Sequence, residues 1–174
     1  MKPKPPTPVK LFCGVLFSDC QLLENARTKL HEKFGEIDFE SQAIPFAISE
    51  YYRQEMGWPI ERIFWSFERL IAPQEIAQIK IDCNELEDRL AIDGCRKVNL
   101  DPGYLDYDKI VLASAKYNGQ KIYLNHGIYA DLTLHYEKGN YYPYPWSFPD
   151  FKSGQYNKIF LRIRELYKAQ LKKH

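Results

Sequence analysis

The densest run of chemically capable side chains is Asn99-Leu-Asp-Pro-Gly-Tyr-Leu-Asp106. Asp-Pro-Gly has turn chemistry, since proline fixes φ and glycine accepts φ > 0. A strand ending in such a turn would hold Asn99, Asp101 and Tyr104 at its tip, as a ligand loop on a rigid support. The structural alternative is a turn in which Asp101 only accepts nearby backbone N–H groups. Ser114 and Lys116 stand two apart, so on one strand they share a face. A lysine beside a hydroxyl is an anion contact, and a Ser/Lys pair is also a nucleophile with its base. His126 precedes Gly127 at a pause between extended segments and titrates near neutrality. Tyr129, Asp131, Thr133 and His135 form the polar face of an alternating run. Asp131 and His135 would lie roughly 13 Å apart at the usual strand rise, too far to share one metal ion.

Ligand-binding candidates are therefore Asn99, Asp101, Tyr104, Ser114, Lys116, His126, Tyr129 and Asp131, with Asp101 and His126 as candidates for proton transfer. No H-x-x-x-H, H-E-x-x-H or C-x-x-C spacing occurs, so no metal is expected. Neither glycine-rich phosphate loop nor G-x-S-x-G is present, and no cofactor is expected.

These residues need a scaffold. Residues 10–18 form an apolar run that reads as a strand buried on both faces. Asp19 offers an N-cap, Leu22, Leu23, Ala26, Leu30 and Phe34 follow at helical spacing, and Gly35 closes the helix. Ile37 to Phe46 is loosely extended, 49–61 reads as an excursion loop, and Arg62 to Ile71 alternates as a strand. Pro73 opens a second helix, whose stripe is Ile76, Ile79, Cys83, Leu86 and Leu90. Lys97 to Leu105 is extended, broken at Asp101-Pro-Gly. Residues 109–117 and 121–136 read as strands joined by an Asn118-Gly119 hairpin. Residues 156–171 form the last helix.

The order β-α-β-β-α-β opens like a ferredoxin-like fold. The expected class is α+β: an antiparallel sheet with that start, extended by further strands and a C-terminal helix. Residues 1–8 read as a flexible proline-rich tail and 9–174 as one domain.

The 174 residues carry 24 Lys+Arg against 23 Asp+Glu, a formal charge of +1. That balance argues against a molecule-wide field for nucleic acid or membrane, leaving only local patches. Apolar residues make up 45% and charged residues 27%, an ordinary globular mix. No apolar run is long enough for a membrane helix or a signal peptide. Cys13, Cys20, Cys83 and Cys95 are expected as reduced thiols in a cytoplasmic protein. Aromatics make up 15% of the chain, and two segments combine them with polar residues. Tyr51, Tyr52, Arg53, Glu55 and Trp58 form one; Tyr141, Tyr142, Tyr144 and Trp146 form the other. Such rings can stack bases or seal loops onto a core.

Thr7-Pro-Val-Lys10, Tyr51-Tyr52…Glu55-Met-Gly57, Phe67-Glu-Arg-Leu70, Asn99-Leu-Asp-Pro-Gly-Tyr-Leu105, Ser114-Ala-Lys116, Gly127-Ile-Tyr-Ala130 and Trp146…Pro149-Asp150 together resemble the bacterial and archaeal family called domain of unknown function 4416. The resemblance spans nearly the whole chain and implies no activity. Some relatives bear the label GTP-binding protein, for which this sequence has no nucleotide-binding G-motif. The leading expectation is a small polar or anionic ligand, nucleotide-like in one version, bound beside the Asn-Leu-Asp-Pro-Gly-Tyr segment, with catalysis open. The alternative is a non-enzymatic RNA- or protein-interaction module built on the aromatic loops. The sequence sets no oligomeric state.

Overall fold

The computed structural model describes residues 1–47 and 50–173, without the side chains of Glu50 and Tyr51. Strand β1 (Val9–Phe17) is buried along its whole length, Lys10 included, as the apolar run from Leu11 to Phe17 favours. Helix α1 (Cys20–Phe34) starts where the Asp19 carboxylate accepts the Leu22 N–H. It leads to β2 (Ile37–Glu40) and the two-residue β3 (Ile44–Pro45). The expected excursion loop contains a short helix, α2 (Glu50–Met56). Met56 anchors it in a small core with Leu16, Phe46 and Ile60, against which Tyr52 packs. Then come β4 (Glu61–Ile71) and α3 (Ile76–Leu90), the latter entered through a 3-10 turn at Pro73–Glu75.

The remaining elements are β5 (Val98–Leu105), β6 (Lys109–Ser114), β7 (Ile122–Asn125), β8 (Ile128–Glu137), β9 (Asn140–Pro143), α4 (Pro149–Lys152) and α5 (Asn157–Leu171). Among the described residues, nine strands join one sheet, ordered β2-β4-β1-β5-β6-β8-β7, with β3 on β4 and β9 on β8. Every pairing is antiparallel. The class is thus mixed helix and strand around an antiparallel sheet.

The two faces of the sheet bury different cores. On one face, Leu11, Cys13, Val15, Trp65 and Phe67 meet Leu23, Ala26 and Leu30 of α1 and Ile76, Ile79 and Cys83 of α3. On the other, Phe12, Phe64, Leu112 and Leu134 meet Phe151, Tyr156 and the α5 residues Phe160, Ile163 and Tyr167. Strand alternation sends the odd residues of β1 to the first core, and of the even ones Phe12 to the second and Leu16 to the small Met56 core.

Three expectations are corrected. The Asp101-Pro-Gly segment is not a turn: β5 runs straight through it, with Asp101 opposite Gly14 and Pro102 opposite Cys13 on β1. Pro102 is tolerated because backbone direction alternates. Leu100 turns both its N–H and C=O away from β1, to Glu87 and Lys80. Pro102, two residues on, therefore aims its missing N–H to the same side, where β6 has not yet joined. Gly103 is there for space. A Cβ would stand 2.5 Å from the Val111 carbonyl oxygen and 2.7 Å from the Phe12 ring.

The second correction concerns the hairpin. Strand β6 pairs with β8, and β7 pairs with β8. The tight turn is His126-Gly127, with φ of 53° and 74°, the signs that a two-residue turn of the favoured twist requires. Asn118-Gly119 lies in the longer link between β6 and β7.

The third lies on β8, where the alternation is not strict. Val111 faces Leu132, but the adjacent Ile110 faces Leu134. Thr133 is an extra residue, and a bulge of this kind reverses the faces beyond it. Asp131 and His135 therefore fall on opposite sides of the sheet.

Candidate functional site

The sheet divides at β5. Gly103, Tyr104 and Leu105 pair with β6, but residues 98–102 do not. Extending the register would set Asp101 opposite Ser114 and Asn99 opposite Lys116. Instead β6 follows β8, and side chains fill the gap. Glu87 on α3 accepts the Leu100 N–H at 2.6 Å, and Lys80 donates to the Leu100 carbonyl at 2.7 Å. An α3 carboxylate and ammonium thus replace the C=O and N–H of the missing strand, as buried backbone polar groups demand.

Asp101 projects into this gap between two buried cations. Lys80 Nζ is 3.8 Å from Oδ1, and Arg62 Nη1 is 3.8 Å from Oδ2. Both separations exceed hydrogen-bond length, and the Asp101 side chain is 27% exposed. Arg62 is 6% exposed and reaches Asp150 at 3.4 Å. Its guanidinium lies 5.1 Å from the Phe46 ring and within 5.9 Å of Phe64, Phe151 and Tyr156. Gly14 makes the room, since a Cβ there would be 3.0 Å from Nη1. Among the described residues, the buried Nε and Nη1 of Arg62 have no hydrogen-bond acceptor, and neither does Nδ2 of Asn99.

Arg96 closes the end of the gap. Nε and Nη2 hold the two oxygens of Glu55 at 2.6 and 2.8 Å. Nη1 donates to Glu87 at 2.9 Å and to Asn99 Oδ1 at 3.0 Å. The hydrogen bond from Arg96 holds the Glu55 carboxyl below its ordinary range against partial burial, and the Lys116 charge adds to this. Glu87 is shifted the other way: burial pushes its carboxyl up, although Lys80, Leu100 and Arg96 all favour the ion.

On the β6–β8 side, Lys121 rather than Lys116 is the cation beside Ser114. Lys121 Nζ donates to Ser114 Oγ at 2.8 Å and lies 3.4 Å from Asp131, both charged side chains being buried. Burial raises the Asp131 carboxyl and Lys121 opposes it. Lys116 lies past the end of β6, its backbone N–H contacting Ser114 Oγ at 3.2 Å.

Asn99 and Asp101 line the gap, and Lys116 is linked to it through Glu55. Ser114 and Asp131 form the adjoining cluster on β6 and β8, with Tyr129 opposite Ser114 and ringed by Tyr117 and Tyr123. Two candidates lie elsewhere. Tyr104, three residues from Asp101 on a strand, turns to the opposite face and packs on the α1–α3 core. His126 is exposed at the β7–β8 turn, its N–H bonded to Asn125 Oδ1.

The sequence reading missed Arg62, Lys80, Arg96 and Lys121. The signal for Lys80 and Glu87 was present: with Ile76 and Cys83 they occupy the buried stripe of α3, where charges need partners. Arg62 shares alternation with Phe64 on β4. Arg96 and Lys121 precede their strands, so no periodicity marks them. Of the aromatic segments, Tyr52 and Tyr141 pack into cores, while Trp58, Tyr142 and Trp146 remain exposed. Two surface cavities, of about 610 and 220 Å³, are lined by none of the gap residues. Among the described residues, no helix is long and apolar enough to cross a membrane.

Comparison with curated proteins and with solved structures gives no match. The family whose pattern matches is described as Domain of unknown function (DUF4416), over residues 7–167. That stretch contains β1, the whole gap and most of α5, and the chain belongs to this family.

Proposed function

We propose that the protein binds a small polar or anionic ligand in the gap between β5 and β6, against Asn99, Asp101, Lys80 and Arg96. One observation carries this reading. Asp101 lies open between two cations that do not hydrogen-bond to it, next to an Asn99 amide and an Arg62 guanidinium with unfilled donors. Buried donors without acceptors are costly and persist where something other than folding uses them. A ligand offering acceptors to the donors and an N–H or O–H to Asp101 would complete the set. Asp101 is also the group best placed to take a proton from such a ligand.

The same reading treats the first six principal elements as a ferredoxin-like unit. Two features support it: the order β2-β4-β1-β5, and two crossovers, each passing over one antiparallel strand, with α1 and α3 on one face. A cytoplasmic setting is supported by Cys13 and Cys83, which pack as free thiols in the core.

The test is thermal unfolding with a panel of nucleotides, sugar phosphates and carboxylic acids. At least one compound should raise the Tm of the wild-type chain, since a ligand of the native state stabilises it by mass action. Asp101→Asn and Lys80→Met should abolish that rise. A rise that survives both substitutions would remove the gap as the site.

A further inference from the structure

We infer that Glu55 is an internal stand-in for the anionic group of a ligand, and that α2 must release it before Arg96 can hold an oxyanion. The inference rests on the gap as a binding site and names the chemistry of one end of it. The contact has the geometry of recognition. Nε and Nη2 of Arg96 form the side-on edge of the guanidinium, and each meets one Glu55 oxygen, at 2.6 and 2.8 Å. A carboxylate or phosphate takes this edge in the same way.

Two further cations stand near this contact. Lys116 acts on Glu55 electrostatically, and Lys97 donates to the Met56 carbonyl, one residue on, at 3.3 Å. With Glu55 removed, Arg96 would keep Glu87 and Asn99 Oδ1 on Nη1, leaving the Nε/Nη2 edge for an incoming oxyanion. A second observation points to a ligand independently. Asn99 presents Oδ1 to Arg96, while its buried Nδ2 finds no acceptor. One further oxygen at this corner would satisfy it.

The clasp is also the most accessible part of the network. Arg96 and Glu55 are 26% and 28% exposed, whereas Glu87 is buried. An incoming anion therefore competes with Glu55 at the solvent side. Glu87 stays in place and keeps the guanidinium oriented.

The experiment uses inorganic phosphate as the probe, with calorimetry on the full chain. Glu55→Gln should bind phosphate at least tenfold more tightly than wild type, and Glu55→Gln with Arg96→Met should lose the gain. Equal affinity in wild type and Glu55→Gln, or binding that survives Arg96→Met, overturns the inference. If Glu55→Gln fails to fold, the wild-type Arg96 Nε–H resonance is followed instead. It should move saturably with phosphate, and no movement overturns the inference. Ligands that stabilise wild type while phosphate behaves identically in both chains would remove Glu55 as a stand-in and leave the gap reading intact. Phosphate binding by Glu55→Gln with no panel compound active at Asp101 would do the reverse.

Discussion

Two buried cations on the α5 face of the sheet make an instructive pair. Lys10 is fully buried, and its ammonium donates to Asp38, to the Phe67 carbonyl at 2.7 Å and to Gln170 Oε1 at 2.9 Å. Its three donors have three acceptors, so burial is compensated in full. Arg62 lies on the same face at the other end of the β1–β4 pair, opposite Leu16, yet among the described residues two of its nitrogens have no acceptor and its carboxylates stand at 3.4 and 3.8 Å. The first arrangement secures β1 to β2, β4 and α5. The second leaves capacity unused beside an accessible carboxylate. A saturated buried charge reads as architecture, an unsaturated one as a site.

The sharpest way to break this contrast is to remove each centre in turn. Lys10→Met should cost about 3 kcal/mol or more, the usual loss when one partner of a buried pair disappears, measured by urea unfolding. Gly103→Ala should cost about 2 kcal/mol through overpacking against the Val111 carbonyl and Phe12, by the same measurement. A neutral result would contradict the close approach of Gly103 to the Val111 carbonyl and the Phe12 ring.

The two carboxylates on Arg96 allow a finer test by pH. The Glu55 carboxyl is held below its ordinary range, so its contribution is present above the unfolded value and lost as pH falls through the folded one. The Glu87 carboxyl is pushed up by burial. The folded state then binds the proton more readily. Its contribution is full below the unfolded value and declines as pH rises towards the folded one. Stability–pH curves of Glu55→Gln and Glu87→Gln should depart from wild type with opposite slopes in the acid range. Departures of the same sign would contradict the assignment. The smallest effect belongs to Asp101→Asn, within about 1 kcal/mol, because this carboxylate stands 3.8 Å from both Lys80 and Arg62 and is partly exposed. A loss as large as that of Lys10→Met would make Asp101 structural and end the contrast.

The sequence was most legible where one period dominated. The apolar run of β1, the stripes of α1 and α3, and the Asp19 and Gly35 caps all correspond to observed elements. It misled where one residue type serves two purposes. Pro102 and Gly103 look like a turn but answer to a missing partner strand and a close backbone approach. Asn118-Gly119 looks like the hairpin, whereas His126-Gly127 holds the positive φ angles. Asn99 and Asp101 stood out as polar residues at the tip of an expected Asp-Pro-Gly turn. Their partners did not, because Arg62, Lys80 and Arg96 reach them from three other parts of the chain, a relation that only the strand order creates.

The most direct measurement of the central claim is an NMR titration of the isotope-labelled wild-type chain with the same ligand panel. The signals to follow are the Asn99–Asp101 amides, the Asn99 side-chain amide and the arginine Nε–H groups. The account predicts a compound that moves Asn99 Nδ2–H and the Asp101 amide saturably while the Lys10 environment stays unchanged. Saturable shifts confined to other parts of the molecule, or none across the panel, would contradict it.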